Sequence, residues 1–273
     1  MLNRRLIIPA LLLACGAALP ARAGVTTRIM PLGDSITQGW VLNGNSYYMS
    51  YRYELYADLT AANKNFVFVG SDSSYQSAFG DPSQGVLPDS QKWHDGYGGY
   101  AIDDIKNNVD SYIAASTPDD ILLHIGTNDL WTYGESAATA GGKLDALVAR
   151  IFQDSPNVHL YLSSIIPVFL DDSSPTFVQS QLYDQMIQNT IVPKYQTLGD
   201  DITFVNMDAA FLNPDGSGNQ TLYDGVHPTI AGAHVMGDVF AQALGVPEPA
   251  SLLVLGIGAA GLLGGARRRR GGR

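Results

Sequence analysis

The chain has 273 residues, of which 45% are hydrophobic and 15% charged, so it is long and apolar enough to fold around its own core. Its 26 acidic residues outnumber its 16 basic ones, giving a formal charge of −10. This balance argues against a nucleic-acid-binding protein, which needs a basic face. A single cysteine excludes a disulfide framework and any metal or iron–sulfur site built from several cysteines.

The first 23 residues have the pattern of a secretory signal peptide. A pair of arginines precedes an apolar stretch that is too short to cross a bilayer, and Ala21-Arg22-Ala23 forms a small-x-small cleavage site. We therefore expect the mature chain to begin at Gly24. Two alternatives remain open: Cys15 ends a lipobox-like sequence and would then be lipidated, or the segment is a buried first helix.

Between residues 24 and 246, short apolar runs alternate with segments in which apolar residues recur every three to four positions, the period of a helix. These periodic segments are called stripes below. The apolar runs predict strands at 28–32, 66–69, 121–125, 158–166 and 202–205. The stripes predict helices around 46–63, 102–113, 144–151, 175–191 and 228–244, with Pro193 ending the fourth and Pro228 in the first turn of the last. A glycine-, serine- and aspartate-rich stretch over 71–95 predicts a long loop, and such loops are often functional. Apolar strands separated by helices are typical of a parallel α/β sheet covered on both faces, with ligands at the carboxyl ends of the strands.

Two motifs offer a serine nucleophile and a base. Ser35 lies in a Gly-Asp-Ser sequence directly after the first predicted strand, which presents its hydroxyl at the carboxyl edge of the sheet. Asp224 and His227 share a short turn before the last predicted helix. A serine hydroxyl needs a nearby base, and the base needs a partner for its second ring nitrogen. This spacing lets Asp224 orient His227 while His227 reaches Ser35, although each motif alone is also common in ordinary turns.

Two further motifs offer hydrogen-bond donors at the same edge. Asn128 lies in a Gly-Thr-Asn-Asp sequence after the third predicted strand and can direct its side-chain N–H toward the crevice. Residues 94–100 (HDGYGGY) precede a predicted helix, and a glycine there lets a backbone N–H approach a ligand closely. Alone, these motifs are also typical of an Asx turn and a flexible turn. All four motifs fall at predicted strand ends or helix starts, and that agreement is hard to produce by chance.

With these four motifs in this order, the domain resembles the SGNH hydrolases, also called GDSL esterases. The resemblance implies a single three-layer α/β/α domain of the flavodoxin type, with a mostly parallel sheet of about five strands. It implies that Ser35 is the nucleophile, His227 the general base and acid, and Asp224 its orienting partner. It also implies an oxyanion hole formed by the backbone N–H groups of Ser35 and Gly99 and by the side chain of Asn128.

The predicted substrate is an acetyl ester on carbohydrate or polysaccharide. Residues 94–105 resemble the sugar-deacetylating branch of the family. The candidate substrate-binding residues are Asp34, Trp93, Tyr97, Tyr100 and Trp131. Two alternatives remain open: a lysophospholipase or thioesterase that cleaves longer acyl chains, and an inactive matrix protein that binds glycans without cleaving them.

Neither a metal nor an organic cofactor is predicted. Three histidines outside the motifs, at positions 124, 159 and 234, are expected to be structural. Asp215, Ser217 and Asn219 alternate like the start of a calcium loop, but the later glycine and glutamate of such a loop are missing.

Residues 247–273 combine a Pro-Glu-Pro sequence, an uncharged apolar span over 250–266 and an arginine cluster over 267–270. The span is at the lower limit for crossing a bilayer, and a basic cluster after it is typical of a cytoplasmic end. This tail resembles the PEP-CTERM sorting signal of Gram-negative bacteria. The resemblance implies recognition by an exosortase-type membrane protease, removal of the tail, and delivery to the cell surface or extracellular matrix. A plain C-terminal anchor is the alternative.

The charge balance differs sharply between the termini and the domain. Residues 24–246 contain 25 acidic and eight basic residues, a net charge of −17. Such a surface repels nucleic acid and anionic membranes. It therefore favours a neutral, acylated glycan over a lipid-surface substrate; the oligomeric state is not predicted.

Overall fold

The computed structural model describes residues 25–39, 50–74, 87–168, 173–223 and 225–247. The predicted signal peptide, the apolar span of the tail and Asp224 lie outside these residues. In the described part of the chain, no helix combines the length and the apolar character needed to cross a membrane.

The centre of the molecule is a six-stranded sheet in which every pairing is parallel. Its strands are β1 (Thr27–Gly33), β2 (Phe66–Phe68), β3 (Asp95–Gly96), β4 (Asp120–His124), β5 (His159–Ser163) and β6 (Ile202–Val205). Five of them lie in the order β2-β1-β4-β5-β6, and β3 pairs with the end of β1. The predicted fold class is therefore confirmed. The additional strand β3 has only two residues, too few to leave a periodic signal in the sequence.

Helices cover both faces of the sheet. They are α1 (Ser35–Gln38), α2 (Arg52–Ala61), α3 (Ile102–Ser116), α4 (Thr127–Trp131), α5 (Ala137–Asp154), α6 (Pro175–Met186), α7 (Val192–Leu198) and α8 (Ile230–Ala243). Side chains alternate between the faces along each strand. Ile121 and Leu123 of β4 accordingly pack in a core with α3, α5, α6 and α7, whereas Leu122 packs in a second core with α2 and α8. These are the three layers that the family resemblance implied.

The prediction that Pro193 ends a helix is wrong. The chain stays helical from α6 through a π turn (Ile187–Ile191) into α7, and Pro193 lies in the first turn of α7. The Val192 N–H donates to the Ile187 carbonyl, five residues back. This wider turn shifts the hydrogen-bond register just before the proline, which itself has no N–H to donate.

Other predicted segments also differ at their ends: the strand predicted over 158–166 is β5 (His159–Ser163), and the helix predicted around 144–151 is the longer α5 (Ala137–Asp154). The last helix begins at Ile230, because the Thr229 hydroxyl accepts the Gly232 N–H at 3.2 Å and caps it, leaving Pro228 outside. The long loop predicted over 71–95 is described only in part. Its described ends form a bridge between Asp72 and His94, and its last residue belongs to β3.

The strand order places the ends of β1 and β4 side by side at the point where the chain direction across the sheet reverses. From β1 the chain leads to β2 on one side, and from β4 it leads to β5 on the other. In open parallel sheets this arrangement opens a crevice beyond the carboxyl ends of the two strands. The segments that follow β1 and β4 are the motifs that contain Ser35 and Asn128.

Candidate active site

Ser35 and His227 meet in this crevice. Ser35 is the first residue of α1, and its Oγ lies 2.9 Å from Nε2 of His227, which precedes α8. Both side chains are buried, with 9% and 7% of their surface exposed. The fold thus joins two residues that are 192 positions apart and that the sequence paired as nucleophile and base. Asp224, the third predicted member, lies outside the described residues.

The position of Ser35 depends on the two residues before it. A Cβ on Gly33 would lie 2.2 Å from the backbone carbonyl oxygen of His124, so glycine is needed for the close approach of β1 and β4. Asp34 caps α1, because its Oδ1 accepts the Ile36 N–H at 2.9 Å. Asp34 is completely buried and is not part of the pocket lining. Its observed contacts are those of a helix cap, in place of the predicted contact with substrate.

Burial raises the pKa of Asp34 from 3.8 to about 7, against the lowering effect of the Ile36 N–H, and the nearby carboxylate of Asp129 adds to the rise. The unfolded chain loses this proton near pH 4, whereas the folded protein keeps it until about pH 7. Folding therefore binds a proton in this interval, and the contribution of Asp34 to stability falls as the pH rises through it.

Asp34→Asn removes this titration while keeping an oxygen that accepts the Ile36 N–H. Relative to the wild type, the variant should become progressively more stable between pH 4 and pH 7, by a few kcal/mol at most, since one pKa unit corresponds to about 1.4 kcal/mol. Urea unfolding of both proteins at pH 5 and pH 8 measures the difference. Other buried carboxyls titrate in both proteins and cancel. A stability difference that is the same at the two pH values would contradict this prediction.

The candidate donors lie around one pocket of about 690 Å³. Its lining contains Ser35, His227, Gly99 and Asn128, and none of the described residues that line it carries a carboxylate, ammonium or guanidinium group. Gly99 has φ +80°, and apart from its two chain neighbours no described residue has an atom within 4 Å of the place where a Cβ would stand. Among the described residues, neither the Ser35 N–H nor the Gly99 N–H donates to a backbone carbonyl.

Two hydrogen bonds orient the amide of Asn128. Its Nδ2 donates to the Tyr100 carbonyl at 2.9 Å, and its Oδ1 accepts the Thr132 hydroxyl at 3.2 Å. The first bond uses one of the two Nδ2 hydrogens and leaves the other for a ligand. Ser35, Gly99 and Asn128, the three residues of the predicted oxyanion hole, thus all line one pocket.

Gln38 is a pocket residue that the sequence patterns did not single out. Its Oε1 accepts the Gly98 N–H at 2.8 Å, which ties α1 to the turn that carries Gly99. The buried Arg52 donates to the carbonyl of Gln38 at 3.1 Å and so holds the same end of α1. A signal was present: Gln38 follows Ser35 by three positions, and residues three apart share one face of a helix.

Three of the four predicted aromatic residues line the pocket: Tyr97, Tyr100 and Trp131. The rings of Tyr97 and Tyr100 stack with centroids 5.0 Å apart, so they also pack against each other. Trp131 is 44% exposed. Trp93 is 41% exposed and is not part of the pocket lining.

The other histidines lie outside the pocket. Completely buried His124 accepts the Ile166 N–H through Nε2 at 3.2 Å, and burial lowers its pKa to about 4. His159 bonds to the Thr203 hydroxyl at 2.8 Å. His234 pairs with Glu54 between α8 and α2. In the predicted calcium-like stretch, Asp215 accepts the Ser217 N–H at 3.0 Å, an ordinary turn contact.

A serine hydroxyl bonded to an imidazole beside open N–H donors is the arrangement of serine hydrolases. Residues 32–235 match the GDSL-like Lipase/Acylhydrolase family. The chain belongs to this family, as the four motifs predicted. Residues 245–270 match the PEP-CTERM protein-sorting motif, which supports export and sorting in a Gram-negative bacterium.

Three of the similar proteins are esterases by name. The multidomain esterase of Ruminococcus flavefaciens is 29% identical over 251 residues, which cover 85% of this chain but only 30% of that protein. The chain thus spans less than a third of the length of that relative. The family 3 carbohydrate esterase of Clostridium thermocellum is 29% identical with a TM-score of 0.61, covering 80% of this chain and 94% of that one. A carbohydrate esterase family 3 structure from Talaromyces cellulolyticus shares the fold, with 23% identity and a TM-score of 0.65 over 80% of this chain and 96% of that one.

Proposed function

We propose that this chain is an exported serine esterase that removes short acyl groups, acetyl above all, from carbohydrate. The observation that carries the proposal is the 2.9 Å contact between Ser35 Oγ and His227 Nε2 inside a pocket with open N–H donors. Membership of the GDSL-like family supports ester hydrolysis. The names of the relatives, a multidomain esterase and a carbohydrate esterase, support the substrate class.

The proposed reaction has two halves. Ser35 Oγ attacks the ester carbonyl while His227 takes its proton, and the tetrahedral intermediate collapses when His227 gives that proton to the leaving alcohol. Water then attacks the acyl-Ser35 ester, with His227 again as base, and releases the carboxylic acid. Asp224, three positions before His227, is proposed to orient the imidazole.

The negative charge that develops on the carbonyl oxygen is proposed to be held by three donors: the N–H groups of Ser35 and Gly99, and Nδ2 of Asn128. Because these groups are already oriented by the fold, little reorganisation is needed as the charge forms. Gln38 stabilises this arrangement, because its side chain accepts the N–H of Gly98, the residue before Gly99.

A short acyl group on a neutral sugar agrees best with the pocket. The described residues of the lining include no carboxylate, ammonium or guanidinium group, and the exposed ring of Trp131 offers a flat face for a sugar ring. The net charge of −17 over residues 24–246 disfavours an anionic lipid surface. After export, an exosortase-type protease is proposed to act at the tail and release the domain to the cell surface or matrix, after transient anchoring in the inner membrane.

The experiment compares acyl chain length with the purified protein. We expect 4-nitrophenyl acetate to be hydrolysed with a kcat/KM about tenfold or more above that of 4-nitrophenyl decanoate, because a pocket for a short acyl group discriminates against added methylenes. Acetate release from acetylated sugars extends the test to carbohydrate. Preference for the decanoate or for a lysophospholipid would support the lipid alternative. If the wild type and Ser35→Ala hydrolysed 4-nitrophenyl acetate at equal rates, the esterase proposal would be rejected in favour of the glycan-binding alternative.

A further inference from the structure

A second depression, here called the lateral groove, is lined by residues of α5, α6 and the π turn. It has a volume of about 440 Å³ and runs between the start of α5 and the outer side of α6 and the π turn. Its lining includes Ser136, Leu182, Gln185, Asn189 and Thr190. None of these residues belongs to the proposed catalytic machinery.

The lateral groove is close to the pocket along the chain. Thr132 lines the pocket and Ser136 lines the groove. Only four peptide units join them, so their Cα atoms are at most about 14 Å apart. An extended ligand of a few sugar units is long enough to span this distance.

The chemistry of the lateral groove selects a neutral, hydroxyl-rich ligand. Among the residues that the structure describes, those lining the groove carry no charge, although residues 24–246 carry a net charge of −17. A charged ligand held there would lack a counter-charge. Gln185 and Asn189 offer amides, Thr190 offers a hydroxyl, and Leu182, 43% exposed, offers an apolar surface. Amides and hydroxyls suit the edge of a sugar ring, and the apolar surface suits its C–H face.

Two aromatic side chains lie on the connecting segment. Trp131 is 44% exposed and Tyr133 is 58% exposed. Large aromatic rings are the side chains with the most apolar area to bury, so two of them exposed within three positions are a favourable contact surface for a ligand. Tyr133 is separate from the pocket lining and lies in sequence between Thr132 and the lateral groove.

We propose that the lateral groove, together with Trp131 and Tyr133, forms an extended binding site for a neutral polysaccharide chain. The polymer lies along this surface while one of its acyl esters enters the pocket. This inference rests on the proposed function and specifies the form of its substrate, a polymer rather than a free sugar or an oligomer too short to reach the groove.

The test uses three substrates with the full-length protein: partially acetylated xylan, acetylated xylose and 4-nitrophenyl acetate. The variants are Tyr133→Ala and the double variant Gln185→Ala/Asn189→Ala. Leu198→Ala is the matched control, because it removes a 66% exposed apolar side chain at the end of α7. Tyr133→Ala and Gln185→Ala/Asn189→Ala should each raise KM for acetylated xylan by about fivefold, because each loses a stacking contact or one or two hydrogen bonds. Neither should change KM for acetylated xylose or for 4-nitrophenyl acetate.

The outcomes separate this inference from the proposed function. The extended site is supported if the wild type prefers acetylated xylan to acetylated xylose, if Tyr133→Ala and Gln185→Ala/Asn189→Ala lose this preference, and if Leu198→Ala keeps it. No preference for the polymer in the wild type, or variants that retain it, overturns the extended site even when 4-nitrophenyl acetate is hydrolysed normally. Absence of hydrolysis of all three substrates by the wild type rejects the proposed function itself, and the extended site with it.

Discussion

Replacing Ser35 by alanine should lower kcat for 4-nitrophenyl acetate by about 10⁴-fold or more, because serine hydrolases that lose the nucleophile keep only the contribution of binding and of the oxyanion donors. The alanine removes Oγ, which lies 2.9 Å from His227 Nε2, and leaves the imidazole without an alcohol to deprotonate. Steady-state kinetics and mass spectrometry of the acyl-enzyme measure the effect, since only the wild type can carry acetyl at this position.

Ser163→Ala is the matched control for this variant. Ser163 is also buried, at the end of β5, and its hydroxyl donates to the Leu123 carbonyl at 3.1 Å, away from the pocket lining. We expect its kcat to stay within a few-fold of the wild type. If Ser35→Ala kept substantial activity, or if acetyl were found on another residue, Ser35 would not be the nucleophile and the reaction proposed above would be wrong.

Asn128→Ala should lower kcat by about 10²–10³-fold with little change in KM, because an oxyanion donor acts mainly on the transition state. The amide is well suited to this role, since its contacts with the Tyr100 carbonyl and the Thr132 hydroxyl hold it in one orientation. Kinetics with 4-nitrophenyl acetate measure the two constants separately.

Asn128→Ala also removes the bond to the Tyr100 carbonyl, so a structural effect must be distinguished from a catalytic one. Thr132→Val provides the comparison, because it leaves the Asn128 side chain in place and removes only the 3.2 Å bond that orients it. We expect Thr132→Val to lose much less kcat than Asn128→Ala. A loss of Asn128→Ala activity that lies mainly in KM, or that follows a lowered melting temperature, would assign Asn128 to structure.

Much of the fold was predictable, because its strands are buried on both faces and read as uninterrupted apolar runs. The run at 121–125 corresponds to β4, whose residues pack alternately in the two cores. Two features were not predictable from local patterns. The strand β3 exists only because the end of β1 offers it a partner, and the π turn before Pro193 depends on hydrogen-bond register within a longer helix.

In the candidate site, too, some features were predictable from local sequence patterns and others depended on contacts between distant segments. Ser35, Asn128 and His227 each lie in a short motif next to a predicted strand or helix, so their residue types and order were visible in the sequence. Gln38 was missed because its role is a contact with Gly98, 60 positions away. The complete burial of Asp34 was not predicted, because it follows from the packing of β1 and α1 and cannot be read from the motif.

The sequence alone determined the family, the parallel α/β fold class and the residue types available for ester chemistry, because motif order and hydrophobic period are properties of the chain itself. It also determined that residues 24–246 are strongly acidic. The tertiary structure decided which of these groups meet: the order β2-β1-β4-β5-β6 brings the ends of β1 and β4 together and joins Ser35 to His227 across 192 positions. It also decided that Asp34 is a buried cap, that Gln38 supports the Gly98–Gly99 peptide, and that the described residues of the lateral groove carry no charge. These features arise from contacts between distant segments, and such contacts leave no periodic trace in the sequence.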